Sequence, residues 1–192
     1  MKEEPARRGA IDLSSEVFQA ILGRLARYKP VLIFGVIEIE GGVLYNTAVV
    51  IKNGRLVGRY RKMRLLAGEG IFRPGDRCPV FEIDGLRFGI NICYDTQFPE
   101  MAAMVQAQGA RLIVCPANNM MRRENAERWK DRHHEMRSLR AKETGLWLIS
   151  SDVTGSRGDS IALGPTSVID PEGSVVAQVP LMEVGMVVAE IA

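Results

Sequence analysis

The sequence predicts a mixed α/β fold, because it combines the turn motifs of antiparallel hairpins with strands that alternate with helices. Asn53-Gly54 and Asp84-Gly85 each separate two apolar runs, and a slightly longer loop around Pro171 and Gly173 does the same. Asn-Gly and Asp-Gly favour two-residue hairpin turns, since both central positions need a positive φ. Three hairpins are therefore expected along the chain.

The first part of the chain predicts a helix over 14–28 and a strand over 31–39. Ser14 or Ser15 supplies the helix cap, and the strand's nearly continuous apolar run favours burial on both faces of a sheet. Residues 1–13 are polar and charged and are predicted to form a leader ahead of the fold. The apolar stripe of the helix consists of Val17, Phe18, Ile21, Leu22 and Leu25.

The second half of the chain alternates strands with helices. Pro99 favours a helix start, and Gly145 stands where a helix C-cap prefers glycine. The predicted elements are a strand over 86–93, a helix over 99–110, a strand over 111–117, a helix over Glu124–Thr144 and a strand over 146–153.

Length and composition predict one globular domain over residues 1–192, and the charge pattern argues against a nucleic-acid-binding protein. Hydrophobic residues make up 46% and charged residues 25%, which is ordinary for a globular chain. The 25 Lys and Arg residues balance 23 Asp and Glu, and acids interleave the arginines of the 124–144 segment. A solvated helix face with i,i+4 ion pairs is expected there, with no nucleic-acid partner.

The start of the chain lacks a signal-peptide pattern and no segment reaches about 18 apolar residues, so a cytoplasmic protein without membrane spans is predicted.

The cysteines and histidines indicate neither disulfides nor a metal site. Cys78, Cys93 and Cys115 are odd in number and form no C-x-x-C pair, so free thiols are expected. His133 and His134 are adjacent, and neighbours on a helix point about 100° apart, which prevents them from binding one ion together. Cys78 and Cys115 are predicted to be core or strand residues.

The stretch GINICYDTQFPE places Cys93 between a strand and a helix that begins at Pro99. The carboxyl ends of strands in open α/β sheets carry functional sites, and nearby backbone N–H groups favour a thiolate. The Tyr94 N–H could face a developing oxyanion there. Buried cysteine is also a common core residue, so the position alone leaves both readings open.

Three ordered motifs resemble the nitrilase, or carbon-nitrogen hydrolase, superfamily. They read YRKMRL (60–65), EGIFRPG (69–75) and ICYDTQFPE (92–100). The resemblance runs from about residue 31 to the end and implies a nitrilase-like αββα sandwich. Further matches are LYNTAVVIKNGRLVGRYRK (44–62), GARLIVCPA (109–117), LRAKETGLWLIS (139–150) and IDPEGSVVA (169–177).

The resemblance implies a role for three residues. Cys93 would attack an amide, carbamoyl or nitrile carbon to give a thioester-type intermediate, and Lys62 would stabilise the tetrahedral oxyanion. Glu69 would support Lys62 and orient the substrate; otherwise it is a solvated loop acid. An amide is a poor electrophile, so a thiolate, a cation beside the oxygen and a proton carrier are all required.

The resemblance also predicts partners. A small non-peptide amide or carbamoyl substrate is favoured over a nitrile, and Tyr94, Asn118, Asn119 and Trp129 are candidate substrate contacts. No cofactor is implied. The family usually forms a homodimer or larger assembly.

One family feature has no counterpart in the sequence, which therefore resembles either an N-terminally shortened or a degenerate member. The general-base glutamate belongs to a P-E motif upstream of the helix that here spans 14–28, and Pro99-Glu100 cannot replace it because it follows the nucleophile. A non-catalytic binding or oligomerisation module is accordingly the alternative function. A thiol-redox protein, with a sulfenate or mixed disulfide at Cys93, is a third.

Overall fold

The computed structural model describes residues 2–191 and divides the chain into two compact units. The first unit extends to Pro79 and the second begins at Val80. Antiparallel strands form the first unit, whereas parallel and antiparallel strands share a sheet in the second. The predicted mixed α/β class is confirmed.

The first unit is a three-stranded antiparallel sheet in the order β1-β2-β3 with two helices. Phe18 and Leu22 of the second helix join Val49 and Ile51 of the central strand in one apolar cluster. Ser15 caps that helix, since its Oγ accepts from the Phe18 N–H at 3.2 Å. The elements are α1 (Glu3–Arg8), α2 (Glu16–Leu25), β1 (Leu32–Glu40), β2 (Val43–Lys52), β3 (Arg55–Arg61) and a 3₁₀ turn, Ala67–Glu69.

Three predictions for this unit are corrected. The leader holds α1, whose Ala6 is buried, and Leu13 belongs to the core. Val17, assigned to the apolar stripe, is 66% exposed. Strand β1 is not buried on both faces, because its apolar residues are half-buried and Glu38 is its one buried residue. Its place at the end of the strand order explains this.

The second unit is built on a six-stranded mixed sheet in the order β12-β11-β8-β6-β5-β4, and β7-β10-β9 form a small antiparallel sheet. Strands β5, β6 and β8 run parallel. The strands are β4 (Val80–Ile83), β5 (Leu86–Ile90), β6 (Leu112–Ala117), β7 (Met121–Arg122), β8 (Trp147–Asp152), β9 (Thr154–Arg157), β10 (Ser160–Leu163), β11 (Ser167–Ile169) and β12 (Val175–Gln178). The helices are α3 (Pro99–Gln106), α4 (Arg123–Trp129) and α5 (Arg132–Thr144).

The three predicted hairpins are confirmed. Asn53 and Gly54 have φ values of 50° and 70°, and Asp84 and Gly85 have 52° and 80°. These left-handed pairs join β2 to β3 and β4 to β5. The third hairpin pairs β11 with β12 around the predicted Pro-Gly loop.

The predicted helix over Glu124–Thr144 is wrong as one element, and the predicted solvated face holds for most of its charged residues but not for two arginines. The chain breaks into α4 and α5, with Asp131 at the N-cap of α5. Arg137 and Arg140 are buried, with relative exposures of 1% and 2%. Their partners are the acids Asp152 and Glu143.

A close contact positions α3 against the sheet. A Cβ added to Gly89 of β5 would lie 2.6 Å from Val105 of α3, so glycine allows the approach. Within residues 2–191, no helix is long and apolar enough to cross a bilayer.

Candidate active site

Cys93 begins a short turn between β5 and α3. The strand ends at Ile90, three residues earlier than predicted, and Cys93–Gln97 form a 3₁₀ turn before Pro99 opens α3. The φ of Cys93 is +46°, a left-handed conformation that costs an L-residue about 1–2 kcal/mol. Such strain is concentrated at functional sites. The strand-turn-helix arrangement predicted from the sequence is therefore present.

Buried side chains hold this turn. Asp95 Oδ2 accepts from the Ile92 N–H at 2.9 Å, and Thr96 Oγ1 donates to the Cys93 carbonyl at 2.7 Å. Both side chains belong to buried residues. The unusual backbone of Cys93 is thus stabilised by specific hydrogen bonds.

The thiol of Cys93 contacts Asn119, which follows the end of β6. Cys93 Sγ donates to Asn119 Oδ1 at 3.2 Å. Asn119 in turn donates to Asp152, the last residue of β8, through its backbone N–H at 3.0 Å and through Nδ2. Because β5, β6 and β8 run parallel, their carboxyl ends meet at one edge of the sheet. Three consecutive strands of the sheet therefore contribute to this site.

Arg137 of α5 extends the site inward. Its Nη2 lies 3.1 Å from Asp152 Oδ2, and its Nη1 donates to the Pro165 carbonyl at 2.8 Å. The side chains of Arg137 and Asp152 are only 2% and 0% exposed. Burial raises the pKa of Asp152, and the Arg137 charge and the Asn119 donors oppose that rise. Sequence reasoning missed both residues.

Cys78 and Cys115 differ from Cys93 in burial. No disulfide joins the cysteines of the described residues, and Cys93 is half-buried while the other two are buried. Burial raises the pKa of the Cys115 thiol. This agrees with the prediction that Cys78 and Cys115 are core or strand residues.

The other predicted substrate contacts lie in the same unit. The Tyr94 ring meets Phe98 edge-on at 5.2 Å, and Trp129 stacks on His133 at 5.7 Å. Asn118 is exposed, and its Oδ1 accepts from the Met120 N–H at 3.2 Å. Of the four candidates, Asn119 is the one placed against Cys93 by the hydrogen bond described above.

Asn119 also borders a shallow, open cleft. Its wall mixes apolar groups with Lys130 and with His133, whose pKa is lowered to about 4 by burial and by the Arg137 charge. The lining of the cleft includes Asn119, Met121, Ala126, Lys130, His133 and Leu163.

The first unit holds Lys62 and Glu69 as an ion pair. Lys62 Nζ lies 2.6 Å from Glu69 Oε2, and the lysine side chain is 2% exposed. The Leu66 N–H donates to the same carboxylate oxygen at 2.8 Å, and Asn46 Nδ2 donates to Oε1 at 3.0 Å. Glu69 is therefore a partnered group and not a solvated loop acid. The arrangement can fix the lysine ammonium in one place.

A second buried acid, Glu38, was also missed by sequence reasoning. Its side chain is 1% exposed, and its Oε1 lies 2.6 Å from Arg61 Nη2 and 2.8 Å from Arg59 Nη1. Thr47 Oγ1 donates to it at 2.7 Å. Arg61 precedes Lys62 in the YRK motif, so this cluster anchors the end of β3. An acid inside the apolar run of the predicted 31–39 strand was the available signal.

Within the described part of the chain, no group of three or more His, Cys, Asp or Glu residues could hold a metal ion. His133 and His134 sit on α5 with lowered pKa values, chiefly because of burial.

Comparisons with known proteins identify the family to which the chain is related. The sequence model of the family described as carbon-nitrogen hydrolase matches residues 2–192. A protein named nitrilase from Pyrococcus abyssi is 32% identical over 162 residues, covering 83% of this chain and 58% of the relative. An (R)-stereoselective amidase from a Pseudomonas species is 27% identical over 178 residues, covering 92% of this chain and 63% of the relative. The chain thus spans about three fifths of the length of these relatives.

A solved structure supports the same relationship. The carbon-nitrogen hydrolase from Helicobacter pylori G27 superposes with a TM-score of 0.79 at 25% identity, covering 86% of this chain and 63% of that one. The nitrilase-like fold class and the resemblance drawn from the three motifs are confirmed. Since the family match extends over residues 2–192, the chain belongs to the carbon-nitrogen hydrolase family.

Proposed function

We propose that this chain serves the hydrolysis of small, non-peptide amide or carbamoyl C–N bonds, with Cys93 as the nucleophile. The observation that carries the proposal is the left-handed turn at Cys93, whose thiol lies at the carboxyl ends of parallel strands. The relatives named nitrilase and amidase support a C–N bond as the target. We favour an amide or carbamoyl group over a nitrile, as the family resemblance implies.

The proposed reaction has two halves. A bond forms between Cys93 Sγ and the carbonyl carbon, the C–N bond breaks, and the nitrogen leaves as ammonia or an amine after taking a proton. Water then attacks the thioester carbon, the S–C bond breaks, and a carboxylic or carbamic acid leaves with the thiol restored. The Tyr94 N–H is a proposed donor to the oxyanion.

Lys62 and Glu69 are proposed for the same reaction on the strength of the family motifs. A buried ammonium held by a carboxylate at 2.6 Å is suited to stabilising a developing oxygen charge. Glu69 orients that ammonium, with Asn46 and the Leu66 N–H fixing the carboxylate.

The thiol proton requires an acceptor other than Asn119. A neutral amide accepts a hydrogen bond but is too weak a base to remove the proton. In the family this step belongs to a glutamate, and general acid-base help is typically worth about 10²–10⁴-fold.

Three further features are carried over as proposals. Asn118, Asn119 and Trp129 are substrate contacts, with Asn119 hydrogen-bonded to the Cys93 thiol. The protein forms a homodimer or larger assembly and acts in the cytoplasm.

The proposal is tested by the reactivity of the three cysteines toward 2-chloroacetamide, a small amide that alkylates thiols. Peptide-level mass spectrometry on the native chain should find Cys93 modified at least about 100-fold faster than Cys115, because Cys115 is fully buried and its pKa is raised. Ammonia release from small amides should disappear in Cys93→Ala and survive in Cys78→Ala.

A variant of Lys62 tests its proposed contact with the oxyanion. Lys62→Ala should lower ammonia release by about 10²–10³-fold, whereas Lys29→Ala, at an exposed position, should not change it. Equal alkylation of all three cysteines without ammonia release would instead favour the non-catalytic module.

A further inference from the structure

A line of hydrogen bonds, most of its members buried, connects a charge on α5 to the half-buried thiol of Cys93. Arg137 contacts Asp152, Asp152 accepts twice from Asn119, and Asn119 Oδ1 accepts from Cys93 Sγ at 3.2 Å. Arg137 is 1% exposed and Asn119 is 7% exposed. Polar groups this deeply buried must each find partners, so the orientation of every member depends on its neighbours.

Asp152 determines which way the Asn119 amide faces. The described partners of its carboxylate are all donors: the Asn119 N–H, Asn119 Nδ2, Arg137 Nη2 and the Val153 N–H. An ionised carboxylate can only accept hydrogen bonds, so it requires the NH₂ end of the amide. The amide oxygen is consequently left facing Cys93.

This orientation has a direct effect on the thiol. A carbonyl oxygen can accept the S–H proton, but it cannot donate to a thiolate. We infer that Arg137 and Asp152 are positioning residues that lock the Asn119 amide, so that Cys93 rests as an aimed, protonated thiol until a base removes its proton. The inference concerns the thiol that the proposed function uses as its nucleophile, and its test measures thiol reactivity, not turnover.

Arg137 is needed because the lock depends on the charge of Asp152. Burial raises the pKa of Asp152, and the adjacent guanidinium opposes protonation. A protonated Asp152 could donate a hydrogen bond, which would allow the Asn119 amide to turn so that Oδ1 faces the Asp152 carboxyl. The Pro165 carbonyl, 2.8 Å from Arg137 Nη1, fixes the guanidinium in place.

Other ionisable groups surround this site and enter the design of the test. Arg137 on α5 interacts with Cys93, Cys115 and Asp152, and Cys115 on β6 also interacts with Asp95 of the turn. Removing the charge of Asp152 would favour a Cys93 thiolate through simple electrostatics alone. The experiment must therefore separate a turned amide from a lost charge.

The test is the pH–rate profile of Cys93 alkylation by iodoacetamide, read at the peptide level in the full chain. In Asp152→Asn the amide of Asn119 can turn and present Nδ2 to the sulfur. A donor at that place stabilises the thiolate, so the pH midpoint of Cys93 alkylation should fall by about one pH unit. In an Asn119→Leu background the same Asp152→Asn change should move the midpoint less than half as far, because no amide remains to turn. Equal shifts in the two backgrounds, or none in the first, would overturn the inference.

Arg137→Gln gives a test of opposite sign. Losing a cation would by itself raise the midpoint, whereas releasing the lock through protonation of Asp152 lowers it. A lower alkylation midpoint supports the role of Arg137 in fixing the Asn119 amide, and a higher midpoint contradicts it. Asp131→Asn, at the exposed N-cap of α5, is the matched control and should leave the profile unchanged. Circular dichroism melting confirms that each variant is folded. Absent amide turnover with these shifts intact would reject the proposed function and leave the lock standing.

Discussion

The two units bury charge in different ways. In the first, Lys62 and Glu69 contact each other directly, and Glu69 keeps 16% of its side chain exposed. In the second, Arg137 and Asp152 are almost fully enclosed and act on an uncharged amide and thiol. The first arrangement presents a fixed cation, whereas the second fixes the direction of a neutral hydrogen bond. Stability and chemistry should therefore respond differently when one partner is removed.

The largest expected effect comes from Asp152→Ala. It leaves the Arg137 charge buried without its acid, and breaking a buried pair in this way costs about 3–5 kcal/mol of unfolding free energy. Glu69→Ala should cost only about 1–3 kcal/mol, because the Lys62 ammonium stands on a flexible stem beside a partly open position. Urea unfolding of the two variants measures the difference.

A double variant provides the control for that comparison. Arg137→Met combined with Asp152→Ala leaves neither charge in the interior, so it should recover more than half of the loss caused by Asp152→Ala alone. If Glu69→Ala proved as costly as Asp152→Ala, the contrast between the two units would be wrong.

The next effect concerns two hairpin turns of the same type that lie in different surroundings. A Cβ added to Gly54 would lie 2.6 Å from the Ala26 Cβ and 2.7 Å from the Leu22 carbonyl, whereas one added to Gly85 would meet nothing within 4 Å. Both glycines have positive φ, which costs alanine about 1–2 kcal/mol. Gly54→Ala should therefore cost about 2–4 kcal/mol, since overpacking is added, and Gly85→Ala only about 1 kcal/mol.

Thermal and urea unfolding of the two alanine variants test this prediction, each variant serving as the control for the other. Equal destabilisation would mean that the contact of α2 with the first turn adds nothing to the backbone strain.

The two hairpin turns were predictable because their information is local. Asn53-Gly54 and Asp84-Gly85 specify their own backbone conformation, and the motifs around Lys62, Glu69 and Cys93 carry a family signature. Arg137 was not predictable in this way. Its charge spacing is that of a solvated helix, and its burial depends on Asp152, a partner that lies on another element.

Strand β1 illustrates the same limit for apolar patterns. A continuous apolar run predicts a strand, but it does not say whether the strand is central or at the edge of its sheet. Pairing at a distance in the sequence decides that question, and it placed β1 at the end of its sheet order with Glu38 turned inward.

The smallest effect is a pH dependence of stability that arises in the second unit. Burial and the nearby Arg137 charge lower the pKa of His133 from 6.5 to about 4. An unfolded chain therefore binds a proton near pH 6.5 that the folded chain refuses until about pH 4. Stability is full above pH 6.5 and falls as the pH is lowered between these values. Because His133 is partly exposed, we expect a loss of about 1 kcal/mol.

His133→Gln isolates this contribution, because glutamine is polar but does not titrate. The variant should lose less unfolding free energy than the wild type between pH 7 and pH 4.5, and His134→Gln should also reduce the loss, since burial lowers the pKa of His134 as well. Urea unfolding at several pH values measures both. An unchanged pH dependence in His133→Gln would show that the acids of the molecule, and not this histidine beside the cleft, determine its stability in mild acid.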